Sequence, residues 1–503
     1  MRDLLLTLFI FALLPVALFR PYVGLLLWAW ISYMNPHRLT WGFAYNFRFN
    51  MLIALVTLIS ILYATRLRFN IPWRTTTVLN TTFLGWTLIT TYNALQYSSA
   101  ITQLDRFVKI QIMLFITLIV VKTRRQILIL VGLIAFSIGF YGVKGGFFAI
   151  TSGGKYRVMG PGGSFFVDNN SLALALLMII PLIYFFFLNT KKIYLRLLLL
   201  GSAALCLLAV LATYSRGGLV GLSILSIAFL LMARKKLLII GLVAIVGPSI
   251  YNFMPDSWHH RMQIVIQSSL DSILYLEKIN QPLAEPRSIQ KSAPSTSNPN
   301  TSTPARQRAV TGLVILDFLL HSDSSLTQDK SVQGRLDAWV FCLKLANERP
   351  ILGGGFETFD QGVYDLIMPG TQRRAPHNIF FEVLAEHGYV GLILWLSIHI
   401  SAFINARKII SLSKRDPALL WARDLANMFQ LSLISYYSAG IFLGMAVFDL
   451  PFHLIIISQL VRTHVENHIS KPTQTPVSAP IRFQHGKPFP WQAGSRLPLT
   501  APR

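Results

Sequence analysis

The chain has 503 residues, of which 53% are hydrophobic and 13% charged, and its mean hydropathy is +0.52. This balance argues against a soluble enzyme and for a polytopic membrane protein, with room for roughly twelve spanning helices of about 20 residues and one sizeable loop. The formal net charge is +24, yet the cations cluster at the ends of apolar runs as bilayer anchors do, so the expected partner is the membrane and not nucleic acid.

In chain order, apolar runs fall near 4–19, 22–34, 50–65, 77–95, 106–121, 126–143, 169–187, 194–213, 218–233, 237–252, 378–404, 425–447 and 450–462. The first two read either as one helix broken near Pro15 and Pro21 or as a tight hairpin. The last two read as a full span and a short return, so the count is twelve or thirteen. The first run lacks a clear small-residue cleavage site and is expected to be retained. The expected layout is N-terminal membrane helices over 1–252, a large loop over 253–376, C-terminal membrane helices over 377–462 and a disordered basic tail over 463–503. Within the loop, 281–307 is rich in Ser, Pro, Thr and Asn and reads as a disordered insert.

Lys/Arg clusters assign the sides. Arg66, Arg68 and Arg74, then Lys122, Arg124 and Arg125, then Lys191 and Lys192, then Arg234, Lys235 and Lys236, then Arg407, Lys408, Lys414 and Arg415 mark every second connection. The opposite, outer side then receives 35–49, 96–105, 144–168, the turn at 214–217 and the large loop. Arg216, Arg335 and His377 all land there, although the count never used them.

Four stretches on that side carry chemistry. Tyr214-Ser215-Arg216-Gly217-Gly218 holds a cation beside two glycines that let backbone approach a ligand; a snorkelling arginine is the bland alternative. Over 334–346 apolar residues recur at helical spacing. This reads as an amphipathic helix along the membrane interface, with Arg335 in its first turn and Trp339 and Phe341 suited to that depth. Pro350-Ile351-Leu352-Gly353-Gly354-Gly355 reads as a sharp turn in preference to a phosphate cradle, since no Lys-Ser/Thr follows. A Gly-rich segment from Lys144 to Gly163, with Lys155 and Arg157, either closes over a diphosphate or only connects two helices. Asp168 then caps the next helix.

The most informative stretch is Pro376-His377-Asn378, followed nine residues later by Gly388-Tyr389-Val390-Gly391. It places an imidazole where a polar segment gives way to an apolar one. Glu382 and Glu386 follow one and two turns on. A carboxylate near the bilayer centre would cost about 2.5–3.5 kcal/mol, so both are expected near the interface, one of them orienting His377 or pairing an arginine. His387 reads as structural, and His259, His260 and Arg261 as headgroup contacts. No metal site is expected: the His pair lacks a third ligand. Cys206 lies in an apolar run and Cys342 in a polar one, so they are not expected to pair.

Tyr-Ser-Arg-Gly-Gly at a helix junction, Gly-Arg-x-x-x-Trp before Pro-Ile-Leu-Gly-x-Gly in a large loop, and His-Asn before Gly-x-x-Gly occur here in that order. Together, over about 160–400, they resemble the O-antigen ligase/polymerase superfamily of bacterial membrane glycosyltransferases. The start, Pro21-Tyr22-Val23-Gly24 and Met34-Asn35-Pro36-His37-Arg38-Leu39, is similar to a branch described as exosortase-associated O-glycosylation ligases. The resemblance implies an all-α, GT-C-like membrane fold with an active site facing the periplasm. It implies a donor glycan on undecaprenyl diphosphate and an acceptor hydroxyl on protein or glycan, with no metal or other cofactor. Carried over by residue, the family's motif histidine is His377 and its motif arginines are Arg216 and Arg335. The insert at 281–307 departs from that pattern.

The residues suit this chemistry unaided. Breaking a sugar–diphosphate bond leaves negative charge that two guanidinium forks can take. A neutral His377 can accept the proton of the incoming hydroxyl, a step worth about 10²–10⁴-fold. A ligase and a polymerase are not separated by these residues. A transporter of lipid-linked glycans would show repeat symmetry and midplane charges, whereas no convincing repeat is present and the candidate residues gather on one side.

Overall fold

A computed structural model of the chain describes residues 1–63, 71–232, 252, 254–256, 258, 259 and 330–470. The expected run at 237–252 apart from its last residue, the tract at 281–307 and the chain beyond 470 lie outside the described residues. Within them the fold is all-helical. The helices are α1 (Arg2–Phe19), α2 (Pro21–Met34), α3 (Phe49–Tyr63), α4 (Thr75–Tyr92), α5 (Tyr97–Val120), α6 (Arg124–Thr151), α7 (Asn169–Asn189), α8 (Ile193–Ala212) and α9 (Arg216–Met232). After the undescribed stretch come α10 (Lys330–Glu348), α11 (Gln361–Ile367), α12 (Ile379–Ser413), α13 (Leu420–Gly440) and α14 (Asp449–Ser470). Among the described residues five helices, α1, α6, α7, α8 and α12, are long and apolar enough to cross a membrane; α3 and α9 are shorter apolar helices.

The first two runs form a tight hairpin. Arg20 alone separates α1 from α2, Phe9 meets Trp30 at 5.4 Å, and the Asp3 carboxylate accepts from Gly42 and Ala44 N–H at 3.0 and 3.1 Å. α7 is buried over most of its length, as a helix apolar on every side should be. It runs between α6, α8, α9 and α13, and Ser432 Oγ of α13 donates to its Met178 carbonyl at 2.6 Å.

Several expectations are corrected. Residues 97–105 are the first turns of α5 rather than a loop. Lys144, Gly145 and Gly146 belong to α6, which continues to Thr151. The reason is packing: a Cβ at Gly146 would stand 2.5 Å from the Leu205 carbonyl oxygen, so the two glycines let α6 lie directly against α8. The run expected to end at 447 stops at Gly440, and Ile441–Phe448 turns back as a largely buried loop. That segment is apolar because it is packed in protein, which hydropathy does not distinguish from a span. The tail expected from 463 is helical as far as Ser470.

The two ends of the bundle differ. At one, Arg74 pairs with Glu466, Arg462 donates to Glu466 at 2.9 Å and to Asn405 at 2.6 Å, and Arg124 lies over Trp421 at 4.9 Å. These contacts tie α4, α6, α12, α13 and α14 where the anchoring cations were expected. Asn405 is 26 residues into α12 from Ile379, which puts this end about 39 Å from the helix start. The candidate residues are at the other end.

Candidate active site

Arg216 opens α9 at a junction built for it. Tyr214 sits at φ +58°, a left-handed conformation that a bulky residue adopts only when its surroundings hold it there. Its hydroxyl donates to the Gly154 carbonyl at 2.6 Å. Val158 N–H donates to the Ala212 carbonyl at 2.9 Å, and Asn169 Nδ2 to the Thr213 carbonyl at 2.8 Å. The Ser215 hydroxyl accepts from Gly218 N–H at 2.9 Å, closing the first turn. Lys155 and Arg157 are exposed on the strap between the pinned residues Gly154 and Val158.

His377 is placed by a second junction. Its φ is +45°, again left-handed. Pro376 before it is fixed because Trp339 Nε1 donates to the Pro376 carbonyl at 2.8 Å, and the Trp339 ring stacks on Phe381 at 5.2 Å. Asn378 after it caps α12, accepting from Phe380 and Phe381 N–H at 2.9 and 3.2 Å. Arg335 stands four residues before Trp339, on the same face of α10. The spacing Arg-x-x-x-Trp thus anchors the helix to Pro376 and sets the arginine over His377. Both line a cavity of about 490 Å³, with Gly334, Gln372, Arg373, Arg374 and Ala375.

The protein around the imidazole, and then the Arg335 cation, lower the His377 pKa from its ordinary value, while the Asp168 carboxylate opposes them. Asp168 is the cap of α7, accepting from Asn170 and Ser171 N–H at 2.9 and 3.1 Å. Its charge reaches His377, while its neighbour Asn169 holds Thr213, three residues before Arg216. The structure thus brings Arg335 and His377 into one cavity. Arg216 stands at the adjoining junction and not in the cavity wall.

The amphipathic helix expected at the interface is corrected. Phe341 of α10 is fully buried and stacks on Tyr364 of α11 at 3.7 Å. With Cys342, Leu345, Val363 and Ala385 they make a small separate core, so the helix belongs to a packed subdomain. Burial, and then the Glu386 and Glu382 charges, push the Cys342 thiol well above its usual pKa and keep it unreactive.

Glu382 and Glu386 serve backbone. Glu382 accepts from Ala446 N–H at 3.1 Å, and Glu386 from Glu357 N–H at 2.9 Å. Both carboxylates thus brace loops that pack against α12. Glu386 stands beside a break in α12. Gly388 has φ +68° and ψ −172°, a region essentially confined to glycine. The triple-glycine turn fills the break: Gly354 and Gly355 N–H donate to the Ala385 and Glu386 carbonyls, each at 2.8 Å, and Tyr389 N–H donates to the Pro350 carbonyl at 2.9 Å. Trp86 Nε1 donates to the His387 carbonyl at 3.0 Å. Those amides are consumed, so the turn is no phosphate cradle. His387 is structural as expected: its Nδ1 meets Thr90 Oγ1 at 2.8 Å, and Phe356 packs edge-on at 4.4 Å.

This arrangement coincides with a family match. Residues 201–396 match the family model described as O-antigen ligase. That segment is similar to the O-antigen ligases. Arg216, Arg335, His377 and the Gly388 break all lie within the matched O-antigen ligase segment, whereas Asp168, Lys155 and Arg157 do not. Residues 1–191 match a family of unknown function (DUF5935). An O-antigen ligase of Pseudomonas aeruginosa strain PAO1 is 31% identical over 108 residues, which are 22% of this chain and 25% of that protein. The similarity thus spans about a quarter of the relative's length.

Two residues near His377 escaped sequence reasoning. Asp168 was read only as a cap, and Arg374 not at all. The signal for Arg374 was its place in the Gln-Arg-Arg-Ala-Pro run before His377; nothing in the sequence showed that this run lines a cavity with Arg335.

Proposed function

We propose that this protein is a membrane glycosyltransferase that moves a glycan from undecaprenyl diphosphate to an acceptor hydroxyl on the periplasmic side of a bacterial inner membrane. The observation that carries this reading is the cavity in which Arg335 stands with His377, inside the O-antigen ligase segment. The acceptor oxygen attacks the anomeric carbon opposite the diphosphate. The new carbon–oxygen bond forms as the sugar–phosphate bond breaks, and the leaving polyprenyl diphosphate takes the electron pair. His377 takes the hydroxyl proton and later returns it to water. Arg335, with Arg216 from the neighbouring junction, stabilises the departing charge. Lys155 and Arg157 attract the anionic donor from the exposed strap. No metal is needed, because fixed cations supply the charge stabilisation.

The similarity of the N-terminal segment to exosortase-associated O-glycosylation ligases favours a protein acceptor. His377→Ala is expected to lower transfer by about 10²–10⁴-fold while the protein stays inserted and abundant. Normal transfer by that variant would remove the base. Deleting the gene is expected to abolish protein glycosylation and leave polysaccharide length intact; shortened polysaccharide would assign a polymerase instead.

A further inference from the structure

We propose that Arg374, which the sequence does not single out, is the second guanidinium of the donor site and clasps the diphosphate together with Arg335 above His377. This rests on the glycosyl-transfer reading and names the residues that hold its leaving group.

Four observations carry it. The described lining of the cavity holds Arg335, Arg373, Arg374 and His377 and no carboxylate, a charge set suited to a multiply anionic ligand. At about 490 Å³ it falls in the range of small-ligand sites, about 300–1,000 Å³. Next, Arg374 lies across the residue that precedes Arg335. A Cβ added to Gly334 would stand 1.8 Å from Arg374 Nη1 and 2.4 Å from Cζ. The glycine of the Gly-Arg-x-x-x-Trp motif therefore leaves the space in which the Arg374 side chain lies against α10, at the residue next to Arg335.

Third, the Arg374 backbone is fixed. Tyr364 Oη donates to its carbonyl at 2.6 Å, and Tyr364 is fully buried in the subdomain core. Fourth, Arg373 faces the start of α11: its Nη1 lies 3.6 Å from Asp360 Oδ2, and its N–H donates to Gln361 Oε1 at 3.0 Å. A diphosphate has two phosphoryl groups, each matched by a planar fork. Arg335 and Arg374 supply two forks in one cavity.

The test is binding of inorganic pyrophosphate to the purified full-length protein in lipid nanodiscs, with glycan transfer measured in parallel. Arg374→Gln is expected to weaken pyrophosphate binding by about 10–100-fold. Gly334→Ala keeps every charge and is a better helix former, yet its methyl displaces the Arg374 guanidinium from its present position; weaker binding is expected with no fall in Tm. Lys344→Gln, on the exposed face of the same helix, is expected to bind as wild type. Undiminished binding by R374Q or by G334A would overturn the assignment, as would the absence of saturable binding by wild type. Loss in both variants, in a protein that transfers no glycan, supports Arg374 as an anion ligand and overturns the transfer reading.

Discussion

At the scale of single residues, the imidazole works as a base only when neutral, and its neighbours set that condition. Crowding by protein and the Arg335 cation favour the neutral form of His377, and Asp168 favours the charged one. The acid limb of the pH–rate profile is therefore expected below the ordinary imidazole range. Arg335→Gln removes a cation, so the pKa rises and the limb moves to higher pH, in addition to a lower maximal rate. Asp168→Asn removes the opposing carboxylate, so the limb moves to lower pH. Profiles of kcat/KM for both variants check this, and an unmoved limb in the two would show that the titrating base is another group. Arg216→Lys keeps the charge and loses the planar fork, and about a tenfold or larger loss of transfer is expected; full activity would reduce Arg216 to an anchor.

At the scale of elements, the largest feature hidden from the sequence is the break in α12. The run 378–404 reads as one continuous apolar helix, and a lone glycine in such a pattern is ordinarily tolerated. Nothing local says that Gly388 leaves the helical region, because its partners, Gly354, Gly355 and Trp86, are far away along the chain. Once the break is known, the triple-glycine turn and the Gly388–Gly391 stretch are seen to be two sides of one junction. Gly353 and Gly388 meet backbone to backbone: a Cβ on Gly353 would lie 2.6 Å from Gly388 N, and one on Gly388 would lie 2.4 Å from the Ile351 carbonyl oxygen. Gly388→Ala is expected to cost about 1–3 kcal/mol from backbone strain alone, with the clash in addition. Thermal unfolding in detergent and the level of inserted protein measure it; wild-type Tm would show that the junction yields. Trp86→Phe keeps an aromatic ring, though a smaller one, and loses the hydrogen bond to the His387 carbonyl; a fall in stability of at least about 1 kcal/mol is expected in the same unfolding measurement.

At the scale of the whole molecule, the helical class and the order of the apolar segments were legible, because length and hydropathy report them directly. The gathering of Arg216, Arg335 and His377 at one end was legible from cation clusters alone. Where the chain folds back within protein, as at Ile441–Phe448, hydropathy misleads, since burial in a bundle and burial in lipid demand the same residues. The assignment of ends to compartments is tested by labelling. Cys206 and Cys342 are both buried, so the native thiols give little background. A cysteine replacing exposed Lys155 is expected to react with a membrane-impermeant maleimide in intact spheroplasts, and one replacing Arg407 only after permeabilisation. The reverse pattern would turn the protein over and place the imidazole in the cytoplasm.

The stitching of α12 by the Pro350–Gly355 turn has a consequence for motion. A lid that swung away from the bilayer would have to surrender the three hydrogen bonds donated by Gly354, Gly355 and Tyr389 N–H, and would strand carbonyls of a hydrophobic helix. Any opening is therefore expected around the edges of this assembly, with the turn and the helix beneath it travelling as one piece. Amide exchange at those three positions should accordingly be slow and synchronous, in an extramembrane segment whose short turns would otherwise trade hydrogens quickly.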